Sequence, residues 1–186
     1  MHRDTDDLKL IDRILAGEQN VYAQLVERHK NYAFTIAMRI LQSRPDAEEA
    51  AQDAFVKAYH NLARFNREAK FSTWLYRIIF NTAVSYRRKQ KKELQSIENI
   101  IVAYDQDSEK MLEKKDKSRF LQMGLAKLNE ADRVAITLFY LKEMSLEEIG
   151  NITGMMPNTA KVRIHRARLR LAEEMKNILS HEALSL

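Results

Sequence analysis

The sequence predicts an all-α protein: two small helical domains joined by a flexible linker. Turn formers are scarce, with four glycines and two prolines in 186 residues, too few for a protein of many short strands. Apolar residues recur at i, i+3, i+4 and i+7 along most of the chain. That periodicity fails once, over "KKELQSIENIIVAYDQDSEKMLEKKDK", where charge runs surround one small apolar patch (Ile97, Ile100, Ile101, Val102). The expected organisation is therefore a domain over 1–92, a linker over 93–117 and a second domain over 118–186.

Each element has its own signal. Asp4–Ala16 is a short amphipathic helix with Leu8, Ile11, Ile14 and Leu15 inward, ended by Gly17. Glu18–Gln42 follows as a long helix through Val21, Leu25, His29, Tyr32, Ile36, Met38 and Leu41. Ser43 is placed to cap a third helix, Pro45 suits its first turn, and the acids of "PDAEE" favour its positive end. It runs to about Leu62 and buries Ala47, Ala50 or Ala51, Ala54, Phe55, Ala58 and Leu62. "ARFNREAK" reads as a loop before a fourth helix, "FSTWLYRIIFNTAVSYRRKQKK".

On a helical wheel Phe71, Leu75, Ile78, Ile79, Thr82 and Tyr86 share the fourth helix's inward stripe. The opposite side holds Tyr76, Arg77, Phe80, Asn81, Val84, Arg87 and Arg88, aromatics and arginines interleaved where a plain polar face is expected. Trp74, Tyr76 and Phe80 are also the right kind of residue to pack against other helices. Beyond the linker, Phe120–Leu128, Glu130–Leu141, Leu146–Thr153 and Pro157–Leu179 are four helices with very short joints.

Composition excludes several classes. Apolar residues make up 45% and charged residues 31%, a globular balance rather than a disordered one. The absence of cysteine removes disulfides, thiolate metal sites and cysteine nucleophiles. No apolar run reaches the roughly 18–20 residues of a membrane span, and "MHRDTDDLK" is too charged for a signal peptide, so the expectation is a cytoplasmic protein. No glycine-rich phosphate loop, HExxH or framed carboxylate pair marks an enzyme. The histidines at 2, 29, 60, 165 and 181 are too dispersed for a metal site. No cofactor, metal or small-molecule substrate is expected.

Net charge is +5, and its placement says more than its size. Arg87, Arg88, Lys89, Lys91 and Lys92 form one acid-free basic stretch. Lys161, Arg163, Arg166, Arg168 and Arg170 form another. Acids gather at Asp46, Glu48, Glu49 and Asp53. Such segregation fits a polyanion on the basic faces and a different partner on the acidic one.

"MSLEEIGNITGMMPNTAKVRIHRARLRL" is the strongest local signal. Ser145 and Glu148 are spaced as a capping box, Leu146, Ile149 and Ile152 face inward, Gly154 ends the helix and Pro157 starts the next. This is the helix-turn-helix layout. On the second helix Ala160, Ile164, Ala167, Leu171 and Met175 face inward. Asn158, Val162, His165, Arg166 and Leu169 point away, flanked by Thr159, Lys161, Arg163 and Arg168. A helix entering a major groove needs such an arrangement, with N-terminal groups at base edges and cations on phosphates. A solvated basic face is the bland alternative.

These residues carry a resemblance. "LNEADRVAITLFYLKEMSLEEIGNITGMMPNTAKVRIHRARLRL" resembles region 4 of bacterial RNA polymerase sigma factors, although Asn158-Thr159-Ala160-Lys161 stands where a Gly-Thr-Val-Lys/Arg run is usual. "RPDAEEAAQDAFVKAYHNLARFNREAKFSTWLYRIIFNTAVSYRRK" resembles sigma region 2. With only a short linker between them, the pair is similar to the extracytoplasmic-function group of the sigma-70 family.

The resemblance implies a promoter-specificity subunit that binds core RNA polymerase, directs it to −35/−10 promoters and promotes −10 melting. It implies −35 contacts by Asn158, Thr159, Lys161, Val162, Arg163, His165 and Arg166. The −10 contacts it implies are Asn66, Lys70, Tyr76, Arg77, Phe80, Asn81, Arg87 and Arg88, with Tyr76 and Phe80 as stacking surface for unpaired bases and a capture pocket at Phe65–Lys70. Phe80, where a smaller residue is usual, could instead be core or an inhibitor contact. Asp46, Glu49, Gln52 and Asp53 would dock on the clamp helices of the polymerase's largest subunit, although a helix-dipole effect alone also explains the first-turn acids. The flap of the second-largest subunit, promoter DNA and an anti-sigma factor complete the implied partners. The alternative is a stand-alone helix-turn-helix regulator of the response-regulator output type, which would have no use for the Phe71–Lys92 face or the acidic helix.

Overall fold

A computed structural model of the chain describes residues 2–96 and 114–183; the patch at Ile97–Val102 lies outside them. Eight helices occupy the described residues: α1 (His2–Leu15), α2 (Tyr22–Leu41), α3 (Arg44–Asn61), α4 (Phe71–Ser96), α5 (Lys114–Lys127), α6 (Glu130–Lys142), α7 (Leu146–Thr153) and α8 (Pro157–Ala183). Single 3₁₀ turns at Gln19–Val21 and Leu62–Arg64 lead into α2 and out of α3. No strand occurs among the described residues.

The helices α2, α3 and α4 pack on one another as a three-sided core. Alanine lets them close. Ala33 and Ala37 on α2, with Ala47, Ala50, Ala54 and Ala58 on α3, are wholly buried, and a methyl group allows close backbone approach without loss of side-chain entropy. Leu25, Ile36, Ile40, Leu75 and Ile79 fill the space between them. Ser43 stands at the N-cap position of α3 without a side-chain bond, and Pro45 sits in the first turn.

The first helix, α1, packs on this core along Asp7, Leu10, Ile11 and Ile14, with Leu8 partly buried beside them. Leu15, expected inward, is 49% exposed, because a helix contacting along one narrow strip has no room for it. A buried polar chain fixes α1 in place. Asp7 accepts from His29 Nε2 at 2.8 Å and from Arg28 at 3.1 Å. His29 Nδ1 lies 3.1 Å from the Tyr76 hydroxyl of α4. A histidine tautomer with its proton on Nε2 donates to Asp7 and accepts from Tyr76, satisfying both ends of a ring that is buried.

In the C-terminal half, α8 packs against α5, α6 and α7. Asn129 caps α6 by accepting from the Asp132 backbone N–H at 2.9 Å. The capping box of α7 is formed: the Ser145 N–H donates to Glu148 Oε2 at 2.9 Å, and the Glu148 N–H to Ser145 Oγ at 3.2 Å. The turn into α8 requires two glycines. Gly154 has φ +77°, and a Cβ on Gly150 would stand 2.7 Å from the Met155 carbonyl oxygen.

The two halves share a seam. α7 packs against α4 and α6 against α2, and Val134, Leu138, Ile149, Ile152 and Ile164 belong to the same apolar cluster as the N-terminal core. The buried Arg133 crosses the seam, its Nε donating to the Arg39 carbonyl at 2.6 Å and its Nη1 to the Leu128 carbonyl at 3.0 Å. A second small cluster of Leu125, Leu128, Ile136 and Ala167, with Leu171 against it, secures α5.

Candidate nucleic-acid interface

The N-terminal turns of α8 present Asn158, Thr159, Lys161, Val162, His165 and Arg166, all exposed. Asn158, Lys161, Val162, His165 and Arg166 line one open depression, and no carboxylate lies among them. Ala160, Ile164 and Ala167 are buried on the other side, so the wheel orients this helix correctly. Arg163 departs from that face. It is half-buried and donates to Asp132 Oδ1 at 2.9 Å, while Arg170 lies 3.5 Å from Asp132 Oδ2. Asp132 is itself buried, so Arg163 neutralises a carboxylate inside the unit instead of extending towards a groove.

A second basic face lies where α3 and α4 meet. Lys57, Asn61 and Arg64 on one side, with Trp74, Arg77, Ile78, Asn81, Thr82 and Ser85 on the other, line an open groove. Lys57 Nζ donates to Thr82 Oγ1 at 3.3 Å across its floor. Arg77, Asn81 and Arg88 are exposed, as expected for a polyanion-binding face. Lys57, Asn61 and Arg64 escaped the sequence reading, because a wheel drawn for one helix says nothing about what its neighbour contributes. Their signal was a second basic cluster one helix upstream.

Three residues assigned to this face lie elsewhere. Tyr76 is wholly buried, its hydroxyl beside His29, so its ring offers no surface on which a base could stack. Phe80 is half-buried against the core. Arg87 is half-buried too: it donates to the Ile40 carbonyl and pairs with Glu130 at 3.1 Å. Phe80, Val84 and Arg87 share one side of α4 by their spacing, the side of the seam. The interleaved aromatics and arginines thus have two addresses, and Trp74 is the aromatic of the groove.

The loop between the 3₁₀ turn and α4 borders the groove. Phe65 is buried between Phe71 and Trp74, with ring centroids 5.6 and 5.4 Å away, so the loop is anchored by an aromatic cluster that also holds Trp74. Beyond it Asn66 and Lys70 are exposed. The Asn66 side chain accepts from the Glu68 N–H at 3.3 Å, Arg67 adopts φ +62° and pairs with Asp12 of α1. Lys70 pairs with Glu148 of α7 at 2.8 Å.

The acids of α3 divide similarly. Asp46 and Asp53 are half-buried towards α4. Asp46 accepts from Gln90 at 2.8 Å, and Asp53 from the Tyr86 hydroxyl at 2.5 Å. The Asp53 carboxylate, with Glu49 nearby, pushes that hydroxyl well above the ordinary tyrosine range. Glu49 and Gln52 remain outward, and with them Val56, 56% exposed, which the sequence reading passed over. The outer stripe is Glu49, Gln52 and Val56, and the two aspartates tie α3 to α4.

A helical core carrying a basic groove, joined to a helix-turn-helix with an open recognition helix, defines a DNA-binding transcription factor. Residues 25–93 match the family Sigma-70 region 2, and residues 121–171 match Sigma-70, region 4. The chain belongs to the extracytoplasmic-function (ECF) group of RNA polymerase sigma factors. It is 34% identical over 181 residues to the ECF RNA polymerase sigma factor SigW of Bacillus subtilis (strain 168), covering 91% of this chain and 97% of that one. It is 31% identical over 179 residues to the ECF RNA polymerase sigma-E factor of Escherichia coli (strain K12), covering 90% and 93%. Among solved structures, the sigma factor RpoE in complex with the anti-sigma factor NepR from Bartonella quintana superposes with a TM-score of 0.70 at 26% identity, covering 83% of this chain and 96% of that one. CnrH in complex with the cytosolic domain of CnrY gives 0.64 at 26%, covering 90% and 96%. The protein is thus a sigma factor of transcription initiation, and no described helix is long and apolar enough to cross a membrane.

Proposed function

We propose that this sigma factor docks on core RNA polymerase through the outer stripe of α3, Glu49, Gln52 and Val56. It reads a −35 element with Asn158, Thr159, Lys161, Val162, His165 and Arg166 of α8. It holds the opened −10 strand along the groove of Arg64, Trp74, Arg77 and Asn81, with Asn66 and Lys70 at the loop and Arg88 further along α4. The observation that carries this reading is the outer face of α8, where groups able to reach base edges and phosphates surround one depression free of acids. In the groove, Trp74 offers stacking surface and Arg77 and Arg64 offer charge, the combination that single strands require. An anti-sigma partner is part of the proposal, supported by the structural neighbour RpoE, solved in complex with the anti-sigma factor NepR.

Transcription by purified core polymerase, with and without the protein, on a pooled library of genomic promoters tests it. Initiation that needs the protein, from sites sharing one −35/−10 pair, is the expected result. Tight duplex binding by the protein alone with no stimulation of core enzyme would move the reading to a stand-alone helix-turn-helix regulator.

A further inference from the structure

Two carboxylates of the C-terminal half occupy cations of the N-terminal half. Glu148 Oε1 lies 2.8 Å from Lys70 Nζ, and Glu130 Oε2 lies 3.1 Å from Arg87 Nε. Both acids are at helix starts: Glu130 opens α6, and Glu148 is the third residue of α7 and closes its capping box. Two polar contacts flank the pairs, from Arg87 to the Ile40 carbonyl and from Arg133 to the Arg39 carbonyl. Burial alone would push the Glu148 carboxyl up, but hydrogen bonds from Lys70 and the Ser145 N–H outweigh it and hold the group below the ordinary carboxylate range. The Glu148 side chain is 21% exposed and that of Lys70 56%, so the pair lies near the surface, within reach of screening salt.

Lys70 ends the loop beside the groove, and Arg87 follows Phe80 and Val84 along the seam side of α4. Both are cations that a DNA backbone passing α4 could use, and here each is neutralised by a carboxylate instead of a phosphate. Meanwhile α7, the helix that in helix-turn-helix docking crosses the DNA backbone, is lodged against α4.

We propose that Glu130 and Glu148 act as in-chain substitutes for DNA phosphates, latching the two halves together and masking Lys70 and Arg87 until the halves separate. This rests on the promoter-binding reading above and adds a regulation to it. The chain alone is closed and binds single-stranded DNA weakly. Whatever separates the halves, core polymerase foremost, releases both cations from their carboxylates at once. Salt loosens the latch because its charged pairs lie near the surface.

The test uses the full chain with Glu130→Gln and Glu148→Gln together. Glutamine at 148 still accepts from the Ser145 N–H, so α7 keeps its cap. Because the chain has no cysteine, Gln24→Cys and Glu173→Cys, both exposed, place one spin label on each half. The expected result is a narrow label distance in the parent and a longer, broader one in the double variant. Raising salt from about 50 to about 500 mM broadens the parent distance and leaves the variant unchanged. A fluorescent single-stranded oligonucleotide of mixed sequence then binds the variant about fivefold tighter or more, a factor set by the parent's open fraction. An unchanged distance, or an opened variant that binds the oligonucleotide no better, overturns the latch. Core-dependent transcription by both proteins separates the two readings. Activity in both with an unchanged distance sinks the latch alone, whereas no activity in either sinks the promoter reading.

Discussion

The helices α4 and α8 carry the two basic faces, yet only α8 is oriented by its own sequence pattern. α8 buries one stripe, Ala160, Ile164 and Ala167, and leaves the opposite one to solvent. α4 is covered on two sides, by α2 and α3 and by α7, so between Phe71 and Arg88 its exposed residues are Arg77, Asn81, Ser85 and Arg88. A wheel assumes one buried stripe. Where a second body packs from another direction, residues opposite that stripe enter an interface, and aromatic content there signals the interface as readily as it signals DNA.

Truncating one side chain to alanine on each helix's supposed outer face breaks or upholds this contrast with the largest effect. Tyr76→Ala should cost about 3–5 kcal/mol, the range for large-to-small changes in a core, read as a shifted midpoint in chemical denaturation. Val162→Ala on α8 should stay within about 0.5 kcal/mol, as surface substitutions do. A Tyr76→Ala protein of parental stability would return Tyr76 to the exposed face.

Two arginines of α8, three residues apart, sharpen it. Arg163→Ala leaves the buried Asp132 with a poorer partner and should lower stability by about 1–3 kcal/mol. Arg166→Ala should leave the melting temperature unchanged and weaken −35-dependent transcription, by roughly 1–3 kcal/mol if it contacts a base. Equal thermal behaviour of the two variants would mean that Arg163 belongs to the DNA face after all.

Much of this was legible beforehand. Seven of the eight described helices were bounded to within a few residues, because caps, glycines and periodicity agree locally: Ser145 with Glu148, Gly154, Pro157, and the alanines of α3. The exception is α5, which begins at Lys114 inside the expected linker, where charge hides a helix start. The exposed site on α8 was legible for the same local reason. What the sequence concealed is non-local. Arg163 faces Asp132 across 31 positions, Asp53 faces Tyr86 across 33, and Lys57, Asn61 and Arg64 complete a groove begun on another helix. No pattern within one element reports which neighbour meets it.

On α3 the same contrast predicts a smaller pair of effects. Tyr86→Phe removes the hydroxyl from Asp53 and should cost about 1 kcal/mol of stability with little change in affinity for core polymerase. Glu49→Lys should reduce that affinity with circular dichroism unaltered, since Glu49 is outward. Unchanged core affinity in Glu49→Lys would take the outer stripe out of the docking surface.

The smallest effect concerns pH at the seam. The Glu148 carboxyl is held below its ordinary value by Lys70 and by the Ser145 N–H. The Ser145 bond belongs to the α7 cap and persists when the halves part; opening removes both the burial that raises the carboxyl and the Lys70 hydrogen bond and charge that lower it. A carboxyl whose pKa is depressed in the closed form stabilises that form above its ordinary pKa, near 4.3, and the contribution fades as pH falls through the depressed value. The spin-label distance should therefore stay narrow from neutral pH to about 5 and broaden below about 4. The transition should precede loss of helical circular dichroism and be diminished in the Glu148→Gln variant. Broadening that coincides with global unfolding in both proteins would assign the acid transition to the fold, and leave the closure of the two halves to their apolar contact alone.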